Sequence, residues 1–343
     1  MTAIINVAAL QRAAENYDPL LRKLPFAILV EELDKLQINL LEVDQKDKVV
    51  QFQRKSGLAK PYVIGDDNAV SGTIGKAVER ELVVKACYAA LKDHIMNYRT
   101  KRVTGNASEK VDNKTKKHPL EFLIIESKVR TIAEDILDAM FFAERDETDK
   151  SPQGMLDGFY TLLAKEIVGG EVSEAKGNLK TTGAISTPSD ANDTTPFDKI
   201  VTFIRSANPY LRKNGVLYLP GNALFNAMDG LGNRLKYKNA LEYEVFLAHL
   251  RGITQAPSLQ LLTSPILGSG SQLILTVPRN LDFGVNTKGD EQFVQIRAPY
   301  EDPNIAQFWT QWEAGARVTS IHPKEFMCNE QTNTGTPLSG DYS

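Results

Sequence analysis

The stretch Pro119–Ala143, PLEFLIIESKVRTIAEDILDAMFFA, leads into Ser151–Gly158, SPQGMLDG, and this part of the sequence decides the fold. Its apolar side chains recur at steps of three and four, which is the period of a helix with one buried stripe: Phe122, Ile125, Val129, Ile132, Ile136 and Met140. A helix over 119–143, about 25 residues, is roughly 37 Å long. That length exceeds what a small compact domain needs, so we expect an elongated protein that spans distance rather than encloses a pocket.

Length and composition bound the class of protein. The chain has 343 residues, a formal net charge of -3 and a sequence pI near 5.9, which argues against a nucleic-acid binder that works through a basic face. Two cysteines, Cys87 and Cys328, are too few for a disulfide framework and favour a reducing compartment. No apolar run approaches the roughly 18 residues of a membrane span. The first ten residues lack the features of a signal peptide, so we expect a cytoplasmic protein.

The first third of the chain predicts an arm, a hairpin and a strand. Residues 1–45 indicate one or two short helices with little core of their own. Val49–Arg54 and Tyr62–Gly65 alternate like strands on either side of a glycine-bearing turn, which predicts a hairpin. This hairpin carries few apolar residues, so we expect it to lie on another part of the molecule. Glu81–Ala90 predicts a buried strand, with a helix through His94 as the alternative.

The remaining two thirds mix helices and strands without a βαβ rhythm, which predicts the α+β class. Residues 101–117 and 171–196 are polar and predict loops. The predicted helices are Leu156–Val168, which stops at Gly169–Gly170, Phe197–Leu211, which Asn208–Pro209 closes or kinks, and Ala223–Leu231, which stops at Gly230–Gly232. The predicted strands are Val216–Pro220, Ser258–Leu262, Gln272–Pro278, Gln292–Ala298 and Arg317–Ile321. We expect the last fifteen residues to be frayed.

Residue types that carry chemistry do not assemble into a motif. The histidines stand apart in the sequence, without metal-ligand spacing: His94, His118, His249 and His322. We interpret Gly268–Ser271 as a turn, since no Lys follows it as in a phosphate-binding loop. The carboxylate pairs have turn-like contexts and are expected to be solvated: Asp66–Asp67, Asp146–Glu147 and Glu301–Asp302. Phe308, Trp309 and Trp312 predict a packing cluster. The sequence therefore predicts no catalytic, cofactor-binding or metal site, and a structural role.

The order of these elements resembles a known family. An arm, an extended hairpin and a strand precede a long helix, and a central region precedes a strand-rich return. Local matches follow the same order: Gly154-Met155-Leu156 after the helix, Leu217–Pro220 before Ala223–Phe225, and Phe308–Val318 before His322-Pro323. Through this pattern the chain resembles the major capsid protein of tailed double-stranded DNA bacteriophages, which has the Hong Kong 97-type fold.

The resemblance implies a division of the chain. Residues 1–45 would be the N-terminal arm and 46–77 the extended E-loop hairpin. Residues 78–169 would be the peripheral domain, with the spine helix at 119–143, and 170–280 the axial domain. Residues 281–343 would return to the peripheral domain and end in a polar tail. Some members of the family cross-link a hairpin Lys to an Asn of a neighbour, but Lys55 and Lys60 alone do not indicate that chemistry, and we expect none.

The resemblance also implies a function. The chain would form hexamers and pentamers of an icosahedral head shell around double-stranded DNA, which it would meet only by non-specific proximity. Scaffold, portal and cement proteins would be further possible partners, and no membrane would be involved. The shell would assemble in the host bacterial cytoplasm and end in the virion capsid. An encapsulin-like compartment shell and a cytosolic α+β enzyme with an unrecognised site are the alternatives.

Overall fold

The computed structural model describes residues 7–54, 75–94, 120–236, 241–286, 294–299, 302 and 304–335. Its helices are α1 (Val7–Lys35), α2 (Leu120–Phe142), α3 (Phe159–Val168), α4 (Thr195–Ser206), α5 (Pro209–Asn214), α6 (Gly221–Leu235) and α7 (Tyr243–Thr254). Its strands are β1 (Asn39–Glu42), β2 (Lys46–Arg54), β3 (Gly75–Val83), β4 (Lys85–His94), β5 (Leu179–Lys180), β6 (Val216–Tyr218), β7 (Gln260–Leu262), β8 (Ser269–Gly270), β9 (Ile274–Thr276), β10 (Leu281–Asn286), β11 (Val294–Arg297), β12 (Ile305–Val318), β13 (Phe326–Asn329) and β14 (Asn333–Thr334).

Some predicted features lie outside the described residues. They are Lys55, Lys60, the strand Tyr62–Gly65, the pair Asp66–Asp67, the loop 101–117, His118, Pro119, Glu301 and the last part of the polar tail.

The long helix predicted at 119–143 is confirmed as α2. Every residue of the predicted apolar stripe is buried, from Phe122 to Met140. Asp138 is an exception: the helical period predicts that it is exposed, but its side chain is buried. At 23 residues α2 is roughly 35 Å long. Residues along the helix, from Phe122 to Met140, belong to cores shared with the main sheet.

The prediction of one or two short opening helices is wrong in length, while the prediction that this segment has little core of its own agrees with its packing against another helix. Residues 7–35 form the single helix α1, and its leucines at 10, 21 and 29 are fully buried. The ring of Tyr17 lies 4.7 Å from that of Phe122, centroid to centroid, so α1 packs along α2. The single helix was missed because the partner of its apolar face is distant in the sequence; Asp34 and Lys35 lie on the exposed side and do not interrupt that face. α1 is therefore part of the folded body.

The main sheet is built around β12, which β10 and β11 flank on one side and β4 on the other. Residues of β12 alternate between buried and more exposed, with Phe308, Thr310 and Trp312 on the inner face. The inner face packs on α1 and α2, in a core that includes Phe122, Val294 and Phe308. The sequence predicted only the end of β12 as strand, because the aromatic cluster within it was interpreted as packing alone. It also missed β10.

The strand predicted at Glu81–Ala90 exists, but its burial was predicted wrongly. Val84 separates β3 from β4 there, and most of β4 is exposed. The physical reason is position: among the described residues, β4 pairs only with β12 and forms the margin of the main sheet. The outer-face side chains of β4, such as Tyr88 and Ala90, therefore have no described second layer above them.

A second sheet, in the order β5–β13–β9–β6–β7, lies in the part that contains α4 to α7. Asn208–Pro209 separates α4 from α5, as predicted, and the Asn208 side chain caps α5 by accepting from the Tyr210 N–H. Two helix predictions need correction. α3 begins at Phe159 rather than Leu156, and α6 continues through Gly230 because that glycine packs against the backbone of Phe197. The sequence missed α7 altogether.

The Gly154–Gly158 motif folds back onto the end of α2. The Gly158 N–H donates to the Ala143 carbonyl at 2.8 Å, and a Cβ at Gly158 would lie 2.6 Å from the backbone carbon of Phe141. Between the glycines, Leu156 enters the core and Asp157 accepts from the Arg145 N–H at 3.0 Å. Only glycine permits this close approach, which explains why the motif follows the long helix.

Candidate assembly surfaces

The root of the β2–β3 hairpin lies directly on the main sheet. Leu82 is fully buried, and a Cβ at Gly284 would lie 2.8 Å from the Leu82 Cδ2 atom. A Cβ at Gly315 would lie 2.3 Å from the Val83 carbonyl oxygen. Gly284 and Gly315 are opposite each other in the β10–β12 register, so we call them the glycine pair. The observed strand partner of β2 is β3 rather than the predicted Tyr62–Gly65, and the root of this hairpin rests on the main sheet through the glycine pair.

A buried ionic network ties β2 to the sheet. Arg317 and Asp282 are both 3% exposed, and the Arg317 Nη2 lies 2.6 Å from the Asp282 Oδ2. The same guanidinium contacts Asp47 of β2, with Nη2 to Oδ2 at 3.1 Å. Thr319 also donates to the Asp282 Oδ2, at 2.6 Å, and Asn39 donates to the Asp282 Oδ1, at 2.9 Å. Because these groups are buried, losing one partner would leave an uncompensated charge.

A second ionic contact ties β3 to α3. Arg80 donates from Nε to the Val318 carbonyl at 2.6 Å and pairs with the Glu166 carboxylate. The Glu166 Oε2 is buried and has no hydrogen-bond partner in the described part of the chain. Burial raises the pKa of Glu166, although the Arg80 charge acts in the opposite direction. The hairpin is thus held on both strands, which fixes the direction in which it leaves the sheet.

The opposite face of the hairpin is exposed and charged. Lys46 and Lys48 face Glu79 and Glu81 across the two strands, and the Lys48 Nζ lies 2.8 Å from the Glu81 Oε1. Hydrogen bonds from both lysines lower the pKa of Glu81. Such exposed pairs contribute little to stability, so this face is solvated rather than structural.

The outer face of the main sheet carries an aromatic pair beside a groove. Tyr88 and Trp309 are 57% and 44% exposed, and their rings stack at 5.1 Å with an interplanar angle of 11°. The groove has a volume of about 620 Å³ and extends over β4, β11 and β12. We call it the outer-face groove. The prediction of an aromatic packing cluster therefore holds for Phe308 and Trp312, which are buried, but not for Trp309.

The three histidines that the structure describes have separate partners. The His94 Nε2 lies 3.9 Å from the Asp302 Oδ2, the His249 Nδ1 contacts the Val245 carbonyl, and the His322 Nδ1 accepts from the Lys324 N–H. Across the ranges given above, no group of three metal-ligating side chains is close enough to hold a metal ion. In the same ranges, no helix is both long and apolar enough to cross a membrane.

Both thiols are buried. Burial raises the pKa of Cys87 to about 11 and also raises that of Cys328. Cys87 faces the core opposite Trp312, and Cys328 is fully enclosed in β13. Neither has the low pKa and exposure of a reactive thiol.

The other candidate positions have structural roles. The Asp146 Oδ1 accepts from the N–H and Oγ1 of Thr148, in an exposed turn, as the sequence predicted for these carboxylates. At Gly268–Ser271, Gly268 has a φ of 65° and ends a short 3-10 turn. The next two residues form β8, which pairs with β14. This segment is therefore a turn and a short strand rather than a phosphate-binding loop.

Comparison with known proteins gives matches in structure alone. No family model and no curated protein matches the sequence. A chain from the capsid of a native GTA particle is 12% identical and has a TM-score of 0.51, with 87% of this chain and 95% of that chain covered. Chains of the satellite phage P4 procapsid and of the capsid of Myoviridae phage XM1 are 11% and 10% identical, each with a TM-score of 0.49. They cover 89% and 88% of this chain, and 98% and 90% of their own.

Identities this low show the architecture only. The match to the GTA capsid chain spans most of both proteins. Helices and sheets alternate here without a parallel βαβ repeat, as the sequence predicted. The chain therefore has the α+β fold of a capsid protein, which confirms the resemblance at the level of the fold.

Proposed function

We propose that this protein is a structural subunit that self-assembles into hexamers and pentamers and forms an icosahedral head shell around double-stranded phage DNA. The observation that carries the proposal is the capsid-protein fold, shared over 87% of this chain. The anchored hairpin supports it physically. A rigid root, an exposed charged face and a long supporting helix suit a subunit that contacts neighbours over distance.

The division of the chain into arm, hairpin, peripheral domain and axial domain belongs to the same proposal. The boundaries are 1–45, 46–77, 78–169 and 170–280, with a return over 281–343. Because α1 is docked on α2, contacts of the arm with neighbouring subunits would come from residues on either side of that helix.

A non-enzymatic role is part of the proposal, with no catalytic, cofactor-binding or metal residues assigned. Its physical support is the state of the reactive residue types. Burial suppresses the reactivity of both thiols, and the described histidines, His94, His249 and His322, lie on separate elements. We propose the virion capsid as the location and the host bacterial cytoplasm as the place of assembly. Scaffold, portal and cement proteins are proposed further partners, while packaged DNA lies nearby without specific contacts.

The test is the assembly state of the purified full-length chain. We expect sedimentation velocity and negative-stain microscopy to show capsomers or closed shells at micromolar concentration, with a balance that dilution and salt shift. Particles from infected or expressing cells should contain DNA. Particles filled with an enzyme would instead support the encapsulin-like alternative. A strictly monomeric chain at every concentration and salt, with or without scaffold, would refute the shell function and favour the enzyme alternative.

A further inference from the structure

The outer-face groove has the composition of a protein-binding site. Its apolar lining includes Ala90 and Trp309, and its polar lining comes from Lys92, Gln295, Arg297 and Gln307. A volume of about 620 Å³ lies in the range of ligand-binding clefts. Tyr88 and Trp309 are both more than 40% exposed and lie together on the same face of adjoining strands. Clustered exposed apolar side chains of this kind mark an interaction surface.

The aromatic pair fixes the geometry of the groove. Tyr88 stacks on Trp309 but does not line the groove, so the groove lies against the side of the indole that Tyr88 leaves open. The stacked partner limits the orientations of the indole ring. Trp309 is thereby held as a preorganised wall, which lowers the entropic cost of binding a side chain against it.

The charges of the groove have one sign. Lys92 and Arg297 line it, and no carboxylate does so among the described residues. The Arg297 Nη2 donates to the Gln295 Oε1 at 3.1 Å, which orients the guanidinium on the strand surface. A complementary occupant therefore carries an apolar or aromatic side chain next to carboxylates.

We propose that the outer-face groove binds an acidic, apolar-anchored surface segment of a second copy of this chain. The inference rests on the proposed function, because in a shell every subunit is surrounded by copies of itself. Charge complementarity supports it: the groove is cationic, whereas the chain as a whole is acidic, with 43 Asp and Glu against 40 Lys and Arg.

The position of the groove gives a neighbour access to it. In the part of the chain that the structure describes, β4 has a strand partner on one side only, so the groove opens toward a sheet margin. The helices α1 and α2 cover the opposite face of the same sheet. A second copy can thus approach without displacing any described element of the first.

The first test places a photo-crosslinking amino acid at position 309 of the full-length chain and irradiates assembled particles. We expect an adduct of twice the subunit mass, with the cross-linked peptide containing an apolar residue beside Asp or Glu. Adducts with nucleic acid, adducts within one subunit only, or no adduct in assembled particles would each overturn the proposal.

The second test reverses the charge of the groove with Lys92→Glu and Arg297→Glu. We expect the double variant to raise the concentration needed for assembly by roughly tenfold or more, since repulsion replaces complementary charge. The matched control is Lys150→Glu with Lys213→Glu, which also reverses two positive charges, at exposed positions outside the groove and outside the proposed arm. Circular dichroism and thermal unfolding of the isolated subunits should match the wild type, because the changed side chains lie on the surface.

The two proposals fail in different ways. If the wild-type chain does not assemble, the shell function itself is refuted. If the wild type assembles, and the groove variant does so at the same concentration as the wild type and the control, only the groove proposal is overturned.

Discussion

At the scale of single residues, two acidic positions with the same place in the helical pattern differ in how deeply they are buried. Asp135 and Asp138 both belong to the polar part of the α2 pattern, yet Asp138 is buried and Asp135 is partly so. Burial, with smaller contributions from Asp138 and Glu134, raises the pKa of Asp135 to about 6. A carboxyl group with this pKa is costly to keep ionised near neutral pH.

We predict that Asp135→Asn stabilises the protein at pH 7.5. The folded state binds the Asp135 proton more tightly than the unfolded state, so its contribution to stability is present at pH 4 and is lost as the pH rises through about 6. Removing the charge should raise the free energy of unfolding by about 1–2 kcal/mol, allowing for solvent screening of this partly exposed group. Urea unfolding from pH 4 to 8 measures the effect.

The control for this substitution is Asp34→Asn, which removes one negative charge at an exposed position of α1. An Asp135→Asn protein whose unfolding free energy keeps the wild-type dependence on pH would contradict the assignment.

At the scale of secondary-structure elements, the hairpin and the main sheet depend on each other through the glycine pair. The register sets Gly284 against Gly315, and Leu82 and Val83 occupy the space that side chains would fill. Two ionic contacts then fix the strands, Arg317 with Asp47 on β2 and Arg80 with Glu166 on β3. The root of the hairpin is therefore as rigid as the sheet on which it lies.

We predict that Gly315→Ala displaces the hairpin root. The added Cβ would lie 2.3 Å from the Val83 carbonyl oxygen, and a backbone atom cannot move aside as a flexible side chain can. The substitution should cost about 1–3 kcal/mol of stability and weaken amide protection along β2 and β3. Thermal unfolding and hydrogen exchange measure the two effects.

Gly252→Ala is the matched control, because no atom lies within 4 Å of its added Cβ on the exposed side of α7. That substitution should stabilise the helix slightly, by up to about 1 kcal/mol. Equal hydrogen exchange in β2 and β3 for both variants would contradict a rigid root.

The elements also show what could be predicted from sequence. The helix α2 could be predicted because its apolar residues recur on one face without interruption. α1 could not, since its buried leucines meet partners more than a hundred residues later, and α6 was cut short because the packing of Gly230 on Phe197 has no local signal. The glycine pair and the outer-face groove depend on strand register between distant segments, so no local pattern contains them.

At the scale of the whole molecule, the location of both thiols in the core bears on assembly. The folded chain contains no exposed sulfhydryl among its described residues, and its cysteines lie in different strands, β4 and β13. Disulfide formation and thiol modification therefore require unfolding, so cysteine forms no covalent link between copies of the folded chain.

We predict that iodoacetamide labels neither Cys87 nor Cys328 in the native chain, because burial blocks access and holds both thiols protonated. Labelling should become complete in denaturant, and reducing agent should leave the sedimentation profile unchanged. Tyr210→Cys introduces a thiol at a position that is 60% exposed and provides the positive control, which should label rapidly. Native labelling of the wild type at the rate of this variant would refute the prediction.

The place of β12 in the chain also determines when a subunit is finished. This strand is the centre of the main sheet, yet it is synthesised long after its partner β4 and the helix α1. Pairing between segments so distant in sequence is slow to form. Until β12 is synthesised, the inner faces of α1 and α2 have no complete sheet to cover them, and the hairpin has no glycine pair on which to rest. A nascent chain therefore lacks the outer-face groove and the anchored hairpin until β12 has been made, which couples the timing of synthesis to the timing of association.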